Sequence, residues 1–357
     1  MAIRRNIPTV AVDAMGGDDA PGAIIAGINQ CLKEEQPFKV LLHGDEQQLE
    51  PFLDAYPLVR EASTVKHADI AITMDETLSQ ALRRGRKTSS MWNAISDLNE
   101  GNAQMAVSAG NTGALLAMSN LILGTMEGIE RPALAVLFPS VRSDVVFLDV
   151  GANLRPSSLQ LAQFAIMGAA YARMILGIET PRVALLNIGI EEVKGTKAIR
   201  DAAQWLQNAN LPMEFHGFVE GNDLTNGLCD VIVTGGFTGN VALKTAEGAA
   251  DFIAYLMRSI IKRSMLARFG YLFMRDAFDM LWRKMEPQEF NGGVMLGLNR
   301  LVVKSHGHAT STGFSSALGV ALEMSNLGLV DHVKSDLQNV DLQALETQAN
   351  ATNSMDE

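Results

Sequence analysis

The residues best suited to chemistry in this 357-residue chain lie in six loops built from Gly, Asn, Asp and Lys. They are Ala14-Met15-Gly16-Gly17-Asp18, Ser108-Ala109-Gly110-Asn111-Thr112-Gly113, Asp149-Val150-Gly151-Ala152-Asn153, Asn187-Ile188-Gly189 running on to Lys194-Gly195-Thr196, Gly235-Gly236-Phe237-Thr238-Gly239-Asn240, and Lys304-Ser305-His306-Gly307. Most follow a short apolar run. Glycine lets a ligand approach the main chain and leaves backbone N–H groups to meet it. A helix that starts at such a loop adds positive partial charge. Gathered on one sheet edge, these loops make an anion-binding floor, for which phosphate is the natural ligand. Lys194 reads either as a solvated loop cation or as a charge partner for phosphate or a developing oxyanion. Lys244 follows Asn240 by four residues and reads either as a surface cation or as one reaching back to the same site. Asp13, Asp18, Asp149 and Glu191 lie beside the loops, where carboxylates orient donors or bind Mg²⁺. Spacing leaves both open. Of the six His, only His306 and His308 fall in such a loop, and turn hydrogen bonding competes there with catalysis.

Several other chemistries lack their signatures. No G-x-S-x-G elbow and no G-x-x-x-x-G-K-[ST] phosphate loop is present. No G-x-G-x-x-G follows the first strand-like run, which argues against a dinucleotide site. Cys31 and Cys229 are too few for a disulfide framework or a Cys/His metal site, and both read as small buried side chains. A net charge of −11 argues against nucleic acid as the main partner. The N-terminal MAIRRNIPTVAV moves directly into a strand-length run and lacks the pattern of a secretory signal. No run of 18 apolar residues is seen, so no membrane-spanning helix is expected.

The elements that position the loops alternate. Strands are predicted at 9–13, 38–43, 68–73, 104–108, 133–138, 145–150, 182–187, 214–219, 230–234 and 300–304. Helices are predicted at 21–33, 112–123, 157–176, 196–208, 241–264 and 312–325. Strand, crossover helix, strand is the signature of a mostly parallel sheet with helices on both faces, where ligands bind beyond the carboxyl ends of strands. Residues 1–334 read as a single α/β domain and residues 335–357 as a polar, weakly helical and then flexible tail.

Phe252–Met285 stands apart, with seven basic residues against two acidic ones on an acidic chain. It predicts a helical hairpin over 252–285 broken at Gly270, with Phe273, Phe278 and Trp282 on an apolar face. Dimer packing alone and dimer packing with contact to an anionic bilayer both fit that face. Arg83, Arg84, Arg86 and Lys87 form a second basic stretch, either solvated or a docking surface for an acidic partner.

Taken together, the six loops resemble those of the bacterial phosphate acyltransferases, from Val10-Ala11-Val12-Asp13-Ala14-Met15-Gly16-Gly17-Asp18 through Gly236-Phe237-Thr238-Gly239-Asn240-Val241 to Lys304-Ser305-His306-Gly307. The likeness covers nearly the whole chain, about residues 7–330. Two places depart from the family pattern: Leu154-Arg155 stands where an acidic residue is usual, and Gly235 where Asp is frequent. The resemblance implies a three-layer α/β sandwich like the isocitrate and isopropylmalate dehydrogenases, usually a homodimer. It implies reversible transfer of a long acyl chain from acyl carrier protein to inorganic phosphate, without a cofactor or a metal. The acyl phosphate would then feed a membrane glycerol-3-phosphate acyltransferase, and the enzyme would be cytoplasmic, with the hairpin open to peripheral membrane contact. On this reading Gly16, Gly17, Gly110, Thr112 and Gly239 amides with Lys194, Lys244 and Lys304 hold phosphate, beside Asp13 and Asp18. Asn111, Asn153, Asn187 and Asn240 orient phosphate or the thioester oxygen, and His306 is placed to protonate the leaving thiolate. Arg83–Lys87 and the hairpin become docking surfaces for the carrier. Three alternatives are kept beside it: a short-chain transferase using acyl-coenzyme A, a metal- and NAD-dependent dehydrogenase on the same fold, and a membrane scaffold without turnover.

Overall fold

A computed structural model describes residues 7–34, 37–285 and 291–340, with the side chains of 267, 268, 277 and 279–285 left out. Its strands are β1 Thr9–Asp13, β2 Lys39–Gly44, β3 Ser63–His67, β4 Met105–Ser108, β5 Ala133–Phe138, β6 Val145–Leu148, β7 Arg182–Leu186, β8 Glu214–Val219, β9 Val231–Val233, β10 Gly293–Leu296 and β11 Leu301–Lys304. Its helices are α1 Gly22–Glu34, α2 Glu46–Ala55, α3 Pro57–Ala62, α4 Leu78–Gly85, α5 Ser90–Asn99, α6 Thr112–Leu123, α7 Ser158–Leu176, α8 Lys197–Asn208, α9 Gly236–Arg263, α10 Met265–Met285, α11 Ser311–Asn326 and α12 Leu329–Gln338.

The strands form one sheet in the order β3-β2-β1-β4-β11-β10-β5-β6-β9-β7-β8. Because side chains alternate across a strand, successive residues feed cores on opposite faces. Val10 and Val12 join α1, α7 and α11 on one face, while Ala11 joins α5, α6 and the first turns of α9 on the other. This is the expected three-layer sandwich. Pairing is parallel within β3-β2-β1-β4-β11 and within β6-β9-β7-β8. At the centre, β10 is antiparallel to β11 and β5, and β5 is antiparallel to β6. These antiparallel pairings make the two strand sets run in opposite directions. The six loops therefore do not share one edge. Those after β1, β4 and β11 leave the sheet in one direction and those after β6, β7 and β9 in the other, from carboxyl ends that lie nearly level at the seam, with Leu148 opposite Val303.

Local sequence explains the helix ends that frame the site. Asn111 caps α6 through Oδ1, which accepts from Ala114 N at 3.0 Å, and Gly124 ends that helix at φ +66°. Ser157 caps α7 in a capping box with Gln160. α7 is long and apolar enough to cross a membrane, but most of it is buried between β9 and α8, and Gln163 is tied to Gly128 O and Glu130 N. It is a core helix.

Two expectations shift. The hairpin breaks at Ser264, whose backbone is extended (φ −118°, ψ 127°), and Gly270 lies inside α10. A Cβ on Gly270 would meet nothing within 4 Å, so nothing there forces a turn. The polar C-terminal stretch stays ordered beyond residue 335: α12 runs to Gln338, Asp336 binds Arg173 at 2.7 Å, and Val340 is buried. Residues 341–357, the remainder of the expected tail, lie outside the described residues.

Candidate active site

A cleft of about 530 Å³ opens over the seam where strand direction reverses, on the face carrying α6 and α9. Leu134 and Val136 of β5, Val150, Gly293 of β10 and Leu243 of α9 give it an apolar wall. Thr112 at the start of α6, Asn240, Lys244 and Glu247 of α9, Lys304 at the end of β11, and Ser305, His306 and His308 after it supply its polar groups. Both strand sets thus contribute, and α9 joins them. Its 28 residues span about 42 Å at 1.5 Å per residue.

The start of α9 is seated on the Asp149 loop. Asp149 is buried, and its carboxylate accepts from the backbone amides of Leu134, Gly151, Ala152 and Asn153 and from Asn153 Nδ2. Burial raises its pKa against those donors. Gly236 N donates to Asn153 O at 2.7 Å. A Cβ on Gly236 would lie 2.8 Å from that same oxygen, which explains glycine there. Asp13 plays a matching part in the other strand set. Buried, it accepts from Ser90 Oγ at 2.6 Å and Ser108 Oγ at 2.7 Å, and burial raises its pKa against both hydroxyls. The two carboxylates hold loops in place and do not line the cleft.

Beside Asp13, Gly17 takes φ +104° and Asp18 N donates to Gly307 O at 2.9 Å, fastening the first loop to the last. The last loop is clamped from behind by Asn291, which is buried. Asn291 Nδ2 donates to Ser305 Oγ and its Oδ1 accepts from His306 N, both at 3.0 Å. In the cleft, Lys244 Nζ lies 2.7 Å from Glu247 Oε2 and 3.5 Å from His306 Nδ1, and His306 Nε2 lies 3.4 Å from Glu247 Oε1. Burial, then Lys244, push the His306 pKa down to about 4. Lys304 is buried, and its Nζ donates to Ala109 O at 3.2 Å and to Ser305 O. Burial pushes its pKa down to about 7.

The expected site residues therefore divide. Thr112, Asn240, Lys244, Lys304 and His306 meet in the cleft, Gly17 and Asp18 are tied to its rim through Gly307, and Gly16 packs behind them against Asp13 and Gly110. Three of the asparagines have other work, because each side chain already serves the backbone. Asn111 caps α6 and donates to Met74 O and Glu76 O. Asn153 donates to Pro132 O and Asp149, and Asn187 donates to Lys194 O. The expected amides of Gly110 and Gly239 are engaged as well, by Ser108 Oγ and by Gly235 O. Lys194 is exposed on the loop after β7 and is not among the cleft-lining residues. Asn187 braces that loop. In the basic stretch, Arg83 and Lys87 are exposed, Arg84 binds Glu76 at 2.5 Å, and the Arg86 guanidinium sits 5.9 Å over the Trp92 ring. On α10, Phe273 is 79% exposed, Phe278 is half-buried with its ring 5.5 Å from Tyr271, and the Trp282 side chain lies outside the described residues. Glu247 and Asn291 were not foreseen. Glu247 carried the signal of standing one turn after Lys244, and Asn291 that of opening an Asn-Gly-Gly turn.

Residues 8–332 match the family model described as "Fatty acid synthesis protein". A phosphate acyltransferase of Parvibaculum lavamentivorans is 49% identical over 92% of this chain and 91% of its own length. One from Afipia carboxidovorans is 49% identical over 91% and 92%. The chain belongs to the phosphate acyltransferase family. It is an acyltransferase that moves an acyl group to phosphate. The fold is shared with solved phosphotransacylases at low identity. A phosphotransacetylase of Streptococcus pyogenes has a TM-score of 0.57 and 15% identity, covering 93% of this chain and 94% of its own. A branched-chain phosphotransacylase of Enterococcus faecalis has 0.56 and 14%, covering 89% and 99%. A 4-hydroxythreonine-4-phosphate dehydrogenase of Klebsiella pneumoniae, with 0.51 and 12% over 89% and 99%, carries the likeness to dehydrogenases.

Proposed function

We propose that the acyl donor is the long-chain thioester of acyl carrier protein, and that the acyl phosphate formed enters phospholipid synthesis through a membrane glycerol-3-phosphate acyltransferase. The observation that carries this reading is the juxtaposition in one cleft of cations, Lys244 and Lys304, with an apolar wall of Leu134, Val136, Val150 and Leu243. An anion and the first methylenes of an acyl chain are both accommodated there. Phosphate is a competent nucleophile near neutral pH, so no enzyme nucleophile is required. One phosphate oxygen attacks the thioester carbonyl, a tetrahedral oxyanion forms, and the carbon–sulfur bond breaks. The protein supplies approach geometry and donors aimed at the oxyanion, each worth about 3–4 kcal/mol. Lys244 and Asn240 are assigned to phosphate and oxyanion. Arg83, Arg84, Arg86 and Lys87 lie on the α4–α5 segment, which touches the rim of the cleft through the Glu76–Asn111 contact. They are assigned to an acidic carrier. The exposed apolar residues of α9 and α10 are assigned to a homodimer contact and to peripheral membrane contact of a cytoplasmic enzyme.

The test is to incubate purified protein with palmitoyl–acyl carrier protein and phosphate, and to trap acyl phosphate with hydroxylamine. Lys194→Ala and Lys244→Ala are run alongside. Phosphate-dependent product is expected, reduced by about 10²-fold or more in Lys244→Ala. A Lys194→Ala variant at full rate would remove Lys194 from the reaction. Product from short-chain acyl-coenzyme A but not from the acyl carrier would overturn the donor assignment.

A further inference from the structure

We propose that Lys304 carries the proton that the reaction moves, taking it from the attacking phosphate and giving it to the departing sulfur. The inference rests on the reading of the donor as a thioester. When hydrogen phosphate attacks a thioester, the O–C bond forms, the C–S bond breaks, and the products are the acyl phosphate dianion and a free thiol. The phosphate proton has left oxygen and arrived at sulfur, so the balance closes without any other acid or base. A single group poised between the two atoms can do both halves.

The cleft offers few groups for this part. Lys244 is held by Glu247 at 2.7 Å. Both ring nitrogens of His306 face partners, Nδ1 toward Lys244 and Nε2 toward Glu247. His308 is exposed and lies 2.5 Å from Asp18. Asp251 sits on the outer part of α9 and is exposed. Lys304 differs from all of them. It lines the cleft yet is only 7% exposed, and among the described residues no carboxylate lies within salt-bridge distance of its Nζ. Asp13 acts on it through space, but that carboxylate is hydrogen-bonded to Ser90 and Ser108. The Nζ partners of Lys304 are two carbonyl oxygens, of Ala109 and Ser305.

This arrangement leaves the third position of the amine to alternate. In the neutral form it is a lone pair that accepts from a phosphate hydroxyl, and in the charged form it is an N–H that donates to sulfur. The groups facing Lys304 set the balance: Asp13 and Asp18 favour the cation, Lys244 and burial disfavour it, and the pKa comes to about 7. That value lies below the ordinary thiol value of about 8.5, so the charged amine is a competent donor to a nascent thiolate. Incoming phosphate raises the proton affinity of the amine, which draws the proton over at the moment the nucleophile needs to lose it.

The test compares Lys304→Met and Lys304→Arg with the parent on two acyl thioesters. One is the acyl carrier, with its alkyl thiol; the other is a p-nitrothiophenol thioester, whose thiolate leaves without a proton. On the alkyl thioester kcat is expected to fall about 10²–10⁴-fold in both variants. The arginine variant, still cationic, should keep its phosphate KM within about threefold, and its kcat should lack the pH dependence expected of the parent near 7. On the aryl thioester the deficit should shrink by at least about tenfold. Equal deficits on both thioesters, with the parent active, would overturn the assignment and leave Lys304 as a binding or packing residue. A parent inactive on every thioester would overturn the donor reading as well. Melting curves of both variants separate misfolding from lost chemistry, and the arginine variant alone suffices if the methionine variant does not fold.

Discussion

Replacing Gly239 by Ala should damage both stability and turnover, and the size of the effect follows from one distance. A Cβ at this position would sit 1.9 Å from the carbonyl oxygen of Asp149 and 3.0 Å from Thr234 Cγ2. Real contacts of this kind stay above about 3 Å, so something must move by about 1 Å. The Asp149 loop cannot yield easily, because its carboxylate is buried under several backbone amides. The start of α9 must swing outward instead, carrying Asn240 and Lys244 with it. Overpacking of this sort costs about 1–3 kcal/mol, and a shift of about 1 Å at reacting groups costs about 10²-fold in rate. Gly248 supplies the control. It lies on the same helix, with nothing within 4 Å of its own Cβ position. Gly248→Ala should therefore stabilise, by about 0.5–1 kcal/mol, through helix propensity alone. Urea midpoints and hydroxylamine-trapped acyl phosphate measure both quantities. If Gly239→Ala unfolds with the parent and turns over within twofold of it, the proposed seating of α9 on Asp149 is wrong.

Two further outcomes are expected. Burial, opposed by Asp97, pushes the His43 pKa down to about 4. The unfolded chain binds this proton between pH 6.5 and about 4 while the folded one does not. His43 therefore contributes stability that is present above pH 6.5 and is lost as pH falls toward 4, up to about 3 kcal/mol. His43→Leu should flatten that part of the curve of urea midpoint against pH, and an unchanged slope would refute the assignment. On α10, Leu272 and Phe273 are 68% and 79% exposed. Leu272→Glu with Phe273→Glu should abolish flotation with anionic vesicles while solution turnover stays within about twofold, and undiminished flotation would remove the membrane role.

The elements that were easy to read are those whose residues state their own environment. β1, β5 and α6 fall where expected, because each is a continuous apolar run bounded by residues that break it, Gly and Asn around α6 and Pro132 and Pro139 around β5. β10 was missed: four residues between Gly292 and Gly297 are too short a run to show periodicity. β3 is an outer strand of mostly polar residues, Ser-Thr-Val-Lys-His, and the more apolar 68–73 stretch just after it drew the prediction away. Asparagine roles were illegible for another reason. Composition tells that an amide side chain can donate and accept, but not that Pro132 O or Lys194 O stands where it will donate.

Strand direction is the deepest of these limits, and the site depends on it. Nothing in the composition of β5, β6 or β10 records that each runs against a neighbour, yet those pairings make the Asp149 and Asp13 loops leave the sheet in opposite directions from carboxyl ends that lie nearly level, Leu148 opposite Val303 across the seam. The two sets of carboxyl ends therefore meet at the seam, where Val150 and Gly151 line the cleft together with Lys304, and one element binds both sides. α9 is that element. It is fixed at Gly236 and Gly239 on the Asp149 loop, and within three turns it brings Lys244 and Glu247 to His306. From about residue 252 its large apolar side chains are mostly exposed. The residues that meet the reactants are thus held by a helix whose two ends answer to different demands, one to a buried carboxylate and the other to whatever covers the exposed apolar face. Neither strand set could form the cleft alone, since the apolar wall comes from the seam and its two amines, Lys304 and Lys244, come from β11 and α9.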